Sequence, residues 1–118
     1  MRLKPNETMA VVIDYQEKLM PAINENEKLI SNSTILLKGL KELEIPMVVS
    51  QQYTKGLGET VAPIAEALGE FEAFDKKTFS LLQTEEIKKA IEEKGRKNVI
   101  VCGAEAHICV LQTVIDLI

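Results

Sequence analysis

Cys109 opens a helical pattern and follows the turn Gly103-Ala104-Glu105-Ala106-His107. A thiol becomes a useful nucleophile as the thiolate, which the unpaired amides of a helix N-terminus and a nearby cation both favour. Lys76 or Lys77 can supply that cation, and Asp14, which ends an apolar run, can accept the thiol proton and return it to a leaving group. The turn before Cys109 also offers amide N–H groups to a developing oxyanion. Acyl transfer needs a nucleophile, a proton carrier and preorganised donors, and these residues fill the three roles.

Such residues act together only if the fold gathers them. Met9-Ala10-Val11-Val12-Ile13 is a short β-branched run of the kind buried on both faces of a parallel sheet, and it stops at Asp14. From Asn26 to Glu44 the residues Leu29, Ile30, Leu36, Leu37, Leu40 and Leu43 recur at helical spacing until Pro46 forbids continuation. Met47-Val48-Val49-Ser50 predicts a second buried strand, followed by a polar, Gly-containing loop over residues 51–58. Val61 to Leu68 predicts a short helix with Pro63 in its first turn and Gly69 at its end. A short strand near Ala73-Phe74 and a loop carrying Lys76 and Lys77 come next.

Thr84 to Gly95 has a Thr cap, acids in its first turn and Gly just past its end, which predicts a helix. Asn98-Val99-Ile100-Val101-Cys102 predicts a fourth strand, and a helix beginning near Ile108 or Cys109 keeps its pattern to Ile118 without a cap or stop signal. Strands alternating with helices imply βαβ crossovers and a three-layer, doubly wound parallel sheet, whose ligands bind beyond the carboxyl ends of the strands. Asp14, the lysine pair and Cys109 all fall at such ends.

The composition narrows the function. The 118 residues are 46% hydrophobic and 27% charged, the balance of one globular domain. Fourteen basic against eighteen acidic residues leave a net charge of −4, and no basic stripe or aromatic platform for nucleic acid is visible. Two cysteines seven residues apart and a single histidine match neither a redox CxxC nor a zinc spacing. With no signal-peptide h-region and no long apolar run, the expectation is a cytoplasmic protein without a membrane partner.

Plainer roles exist for the same residues. A strand-end carboxylate such as Asp14 often caps a turn, a cysteine such as Cys109 is often a small buried hydrophobe, and neighbouring lysines are usually a solvated pair. Cys102, inside an apolar strand, is core packing. Gly56 and Gly58 form turns rather than a phosphate cradle, and Asp14 to Gln16 stand where a nucleotide-binding fold would carry its glycine turn.

Three segments resemble the isochorismatase-like cysteine hydrolases. Val11-Val12-Ile13-Asp14-Tyr15-Gln16-Glu17-Lys18-Leu19 is similar to that family's opening strand, Lys76-Lys77-Thr78-Phe79-Ser80 to its Lys-x-x-x-Ser segment, and Cys102 to Thr113 to its nucleophile turn. By that resemblance Asp14, Lys76 and Cys109 form a catalytic triad. The resemblance also implies a cis peptide between Ala104 and Glu105, with the amides of Glu105 and Cys109 as the oxyanion hole. Residues 51–58 resemble the isochorismatase-domain-containing branch rather than the nicotinamidases, whose Asp-x-His metal site is absent here, so the expectation is no metal and no cofactor. The resemblance also implies a homo-oligomer and two further strands and helices after residue 118, so that the single domain, 1–118, is incomplete at its C-terminal side. Tyr53 and Phe79 are expected to wall the pocket of a small-molecule substrate, and His107 to shape the turn or line that pocket. The expected activity is cleavage of an amide-type C–N bond through a Cys109 thioester. The alternative is a noncatalytic oligomerisation or interaction module that keeps only vestiges of the triad.

Overall fold

The computed structural model describes residues 2–118. Thr8–Ile13 forms β1, with all six residues buried. A strand covered on both edges and both faces needs neighbours on every side, and β1 has them. It pairs in parallel with β2 (Met47–Gln52) on one edge and β4 (Asn98–Gly103) on the other, while β3 (Ala73–Lys76) adds to β2 in parallel. The sheet order is β3-β2-β1-β4.

Alternation along β1 divides its side chains between two cores. Ala10 and Val12 pack with Leu37 and Leu40 of α1 (Asn26–Glu42) and with Ile64 and Leu68 of α3 (Ala62–Leu68). Met9, Val11 and Ile13 face the opposite way, towards Leu81 and towards Ile87 and Ile91 of α4 (Glu85–Lys94). Helices on both faces of a parallel sheet make the expected three-layer, doubly wound α/β architecture. The chain steps outward from β1 through β2 to β3, then returns to the far side of β1 with β4. The strand order therefore reverses between β1 and β4, where ligands of open α/β sheets are bound.

The elements depart from the sequence pattern where polar residues carry the backbone pairing. β2 continues past Ser50 through Gln51 and Gln52, which the apolar pattern assigns to a loop. Gln51 and Gln52 pair with Asp75 and Lys76, and the buried amide of Gln16 bonds both backbone groups of Gln52. The remainder of that loop contains a one-turn helix, α2 (Thr54–Leu57). Lys76 is the last residue of β3 rather than a loop residue. Thr84 does not cap α4 through its hydroxyl, which pairs instead with Thr78 Oγ1 at 2.9 Å. Leu43, just past the end of α1, is exposed, whereas Ser33 within the helix is buried, its Oγ meeting the Tyr15 hydroxyl at 2.8 Å. The last helix begins with a π turn, Ala106–Val110, and continues as α5 (Leu111–Leu117).

Candidate active site

Asp14 follows directly on β1 with φ of 55°, a left-handed conformation that aspartate tolerates better than most residues. This bend ends the strand and keeps the carboxylate inside the protein, fully buried. Oδ1 accepts a hydrogen bond from Ser50 Oγ at 2.8 Å, and Oδ2 accepts one from Lys76 Nζ at 2.9 Å.

Lys76 reaches this point because strand alternation turns it inward and Lys77 outward: Lys76 is buried and Lys77 exposed. Its ammonium also donates to Gln52 Oε1 at 2.6 Å and to the Thr78 carbonyl at 3.1 Å, and it lies 3.4 Å from Cys109 Sγ. Asp14, Lys76 and Cys109, from three separate parts of the chain, thus share one hydrogen-bonded cluster.

Cys109 sits in the π turn, only 6% exposed. The approach to that turn depends on Gly103, where φ is +137° and a Cβ would lie 2.1 Å from the Ile13 carbonyl oxygen. The Ala104 amide donates to that same carbonyl, at 2.9 Å. The peptide bond from Ala104 to Glu105 is cis. Among the described residues the Glu105 amide donates to no backbone carbonyl, while the Glu105 carbonyl accepts from the amides of Ile108 and Val110. Cys102 lies half-buried in β4, with its sulfur 3.7 Å from the Val11 carbonyl.

Proximity to a lysine does not make Cys109 acidic. Burial first, then the charge and hydrogen bonding of Asp14, push the thiol up to about 11, and Lys76 offsets only part of this. Burial and Asp14 thus act against the thiolate that the neighbouring cation leads one to expect, and they set the thiol and a carboxyl group side by side as a pair. The chemistry such a pair supports is general-base activation during attack.

A pocket of about 140 Å³ opens on this cluster. Leu19, Leu57, Phe79 and Ile108 form its apolar wall, and Asp14, Gln52, Glu105 and Cys109 its polar side. Phe79 thus lines this pocket while remaining 57% exposed. Tyr53 does not: it is half-exposed, its backbone is left-handed, and its ring lies over Gly56, outside the pocket lining. A larger hollow, about 500 Å³, lies between the start of α1 and residues 103–107 and is lined by none of the three clustered side chains. His107 borders that hollow with its side chain 73% exposed, and its Nε2 is 3.7 Å from Glu105 Oε2. Among the described residues no three His, Cys, Asp or Glu side chains gather as a metal ion would require.

Ser50, Gln52 and Gln16 were not singled out by residue type. Their signal was positional: polar residues ending the apolar runs of β1 and β2, at the carboxyl ends of parallel strands.

The family model of the Isochorismatase domain matches residues 8–118, and the chain belongs to that family. It is 39% identical over 116 residues to Isochorismatase domain-containing protein 1 of Danio rerio, covering 98% of this chain and 41% of that protein. A solved structure described as the MAR1 ribonuclease of Caenorhabditis elegans is 38% identical and superposes with a TM-score of 0.89, over 99% of this chain and 60% of that one. The YcaC product of Escherichia coli, described as an octameric hydrolase of unknown specificity, shares the fold at 20% identity, with a TM-score of 0.86 over 98% and 60% of the two chains. The chain thus spans about half the length of its relatives. Among the described residues no helix is long and apolar enough to cross a membrane.

Proposed function

We propose that this chain carries the catalytic cluster of a cysteine hydrolase that cleaves an amide-type C–N bond of a small molecule. The observation that carries the proposal is the convergence on Lys76 Nζ of Asp14 Oδ2 at 2.9 Å and Cys109 Sγ at 3.4 Å, at the floor of a pocket. Asp14 takes the thiol proton as Cys109 Sγ bonds to the substrate carbonyl carbon. The carbonyl oxygen becomes an oxyanion facing the amides of Glu105 and Cys109. When the intermediate collapses, the C–N bond breaks and protonated Asp14 gives its proton to the departing nitrogen. This leaves a Cys109 thioester and a free amine. Asp14 then takes a proton from water as the water oxygen bonds to the thioester carbon; the C–S bond breaks and Asp14 returns the proton to the sulfur, leaving a carboxylic acid and the restored thiol. Lys76 keeps the Asp14 carboxylate and the sulfur in one place and balances the charge that passes between them.

A homo-oligomer belongs to this proposal. Its supports are the octamer described for the E. coli protein and the exposed Leu111 and Ile115 on α5, beside the edge strand β4. The buried, weakly acidic thiol favours a second reading, a noncatalytic interaction module. One experiment separates the two. The full-length protein is incubated with a panel of small amides, quenched in acid, and the Cys109 peptide is examined by mass spectrometry. An acyl mass increment on Cys109, lost in Cys109→Ala together with amine release, is the expected result. Absence of both across the panel, in folded protein, favours the module.

A further inference from the structure

Lys76 and Cys109 come from opposite margins of the sheet. Lys76 ends β3, the outer strand on one side, and Cys109 follows β4, the outer strand on the other. Three inter-strand spacings separate these strands by roughly 14 Å. Asp14 and Gln52 hold the ammonium from β1 and β2, but the sulfur rides on the turn and helix beyond β4. Strand pairing alone therefore does not fix the 3.4 Å between Nζ and Sγ.

The segment after β3 makes that link. The Thr78 carbonyl accepts from Lys76 Nζ at 3.1 Å, and the Thr78 hydroxyl donates to the Ser80 carbonyl at 2.8 Å. With its one proton so used, that hydroxyl accepts from Thr84 Oγ1 at 2.9 Å. A 3₁₀ turn, Leu81–Gln83, follows, and Ser80 meets two of its amides: Oγ accepts from Leu82 at 3.1 Å and the carbonyl from Gln83 at 3.3 Å. The Leu81 amide, first in the turn, has no acceptor within it. It donates across the fold instead, to Thr113 Oγ1 in α5 at 3.1 Å.

Thr113 is fully buried and lies one helical turn beyond Cys109. Its partner Leu81, with Cys109 and Leu117 a turn to either side of it, belongs to the apolar core on this face of the sheet. For packing alone valine would serve there, with no hydroxyl to desolvate. We infer that Thr113 is a positioning residue: its hydroxyl latches the loop that follows Lys76 to the helix that carries Cys109, and so sets the contact between the ammonium and the sulfur. The inference rests on the hydrolase reading above, in which Cys109 is the nucleophile. Thr113 does not line the pocket and acts through Leu81, Thr78 and Lys76. Lys76 relieves part of the upward push on the Cys109 thiol, so a loop released from α5 weakens that relief.

Thr113→Val and Thr113→Ser, made in the full-length protein, separate this role from core packing. Iodoacetamide labelling of Cys109 is followed against pH by peptide mass spectrometry, with Cys102 as internal control, and urea midpoints are measured alongside. Thr113→Val keeps the volume and loses the acceptor. Its Cys109 profile should move to higher pH, with labelling at pH 8 about threefold slower, the mark of a thiol about half a unit less acidic. Thr113→Ser should restore the wild-type profile. Ile91→Ala, which trims the same core from α4, should lower the urea midpoint and leave the profile in place. A Thr113→Val protein that loses stability while keeping the wild-type profile overturns the inference and leaves the nucleophile standing, as does a Thr113→Ser protein that labels like Thr113→Val. A wild-type Cys109 that labels no faster than Cys102 at any pH overturns the hydrolase reading and this inference with it. If Thr113→Val does not fold, amide hydrogen exchange in the wild type decides: a Leu81 amide protected like those of β1 supports the latch, and one that exchanges at the rate of an open loop removes it.

Discussion

Asp14 and Lys76, 62 residues apart in sequence, form an ion pair of 2.9 Å in which neither side chain has exposed surface. Their order follows from the sheet: one ends β1, the other ends β3, and Ser50 and Gln52 of the intervening strand β2 hydrogen-bond one to each. The pair is a structural commitment, because each group has left water and depends on the other.

Removing one partner should therefore cost more than the pair is worth. Lys76→Met leaves the Asp14 carboxylate buried beside a thiol and a serine hydroxyl, at an expected cost of about 3–5 kcal/mol. The double variant Asp14→Asn/Lys76→Met should recover much of that loss. Urea denaturation of the four proteins closes the cycle, and strict additivity of the two single effects would argue against a coupled buried pair.

Asp14→Asn should separate thiol reactivity from turnover. Asp14 is one of the groups that raise the Cys109 thiol, and Lys76 opposes it. Without the carboxylate the thiol acidifies, so iodoacetamide labelling at pH 8 should quicken by about tenfold for each unit by which its pKa falls. Amide turnover should drop by about 10²–10⁴, the usual contribution of a positioned proton carrier. Labelling that slows together with turnover would assign Asp14 a scaffolding part only.

The layered fold was legible from sequence because apolar periodicity reports burial directly: Met9 to Ile13, Leu37, Leu40, Ile87 and Ile91 all lie in the two cores. Periodicity placed Asp14, the lysine pair and Cys109 at strand ends, while the choice of Lys76 over Lys77 came from the family resemblance. Other features left no such trace. Gln51 and Gln52 look like loop residues because their membership of β2 rests on backbone pairing, which side-chain type does not encode. The π turn holding Cys109 inserts an extra residue into a helical period that residue spacing cannot resolve over five positions. Tyr53 has the right chemistry for a pocket wall, but a left-handed backbone turns its ring onto Gly56. The balance of forces on Cys109 is hidden for a related reason: the sequence names the neighbouring cation, while the depth of burial and the opposing carboxyl group exist only in the fold.

Stability should fall in alkali. Folding raises Cys109 from 9.0 to about 11 and raises Cys102 and Tyr15 as well, all chiefly by burial. An acid raised in this way holds its proton longer in the folded chain. Its contribution is therefore complete below the unfolded value and is lost as pH climbs through the folded one. For Cys109 the window is pH 9 to 11, and at about 1.4 kcal/mol per unit its loss is at most about 3 kcal/mol. Urea midpoints should hold steady to about pH 8.5 and then decline, less steeply in Cys102→Ala/Cys109→Ala. A decline of equal steepness in that variant would remove the thiols as its cause.

Gly103→Ala should be among the most damaging of small changes. The added methyl carbon would meet the Ile13 carbonyl oxygen at 2.1 Å, a contact with backbone that no side-chain rotation relieves, and φ of +137° is itself foreign to alanine. Either the pairing of β1 with β4 gives way or the nucleophile turn shifts. The expected result is a loss of several kcal/mol, beyond the range of about 0.5–3 kcal/mol usual for point variants, read from the urea midpoint.

Gln16 ties the end of β1 to the end of β2, and its loss should reach the cluster through Gln52. Fully buried, it donates from Nε2 to the carbonyls of Gln52 and Gly58, at 2.9 and 2.8 Å, and accepts from the Gln52 amide at 2.6 Å. Gln16→Leu preserves much of the volume but strands two carbonyls and one N–H, at an expected cost of about 3 kcal/mol or more. Gln52 is the residue whose side chain accepts from Lys76 Nζ, so release of its backbone should also loosen the ammonium. That is a positioning effect. It predicts a fall in kcat with little change in KM, and a Cys109 alkylation profile shifted to higher pH as the partial relief supplied by Lys76 is weakened. A variant that loses stability while keeping the wild-type alkylation profile would confine Gln16 to holding the strands together.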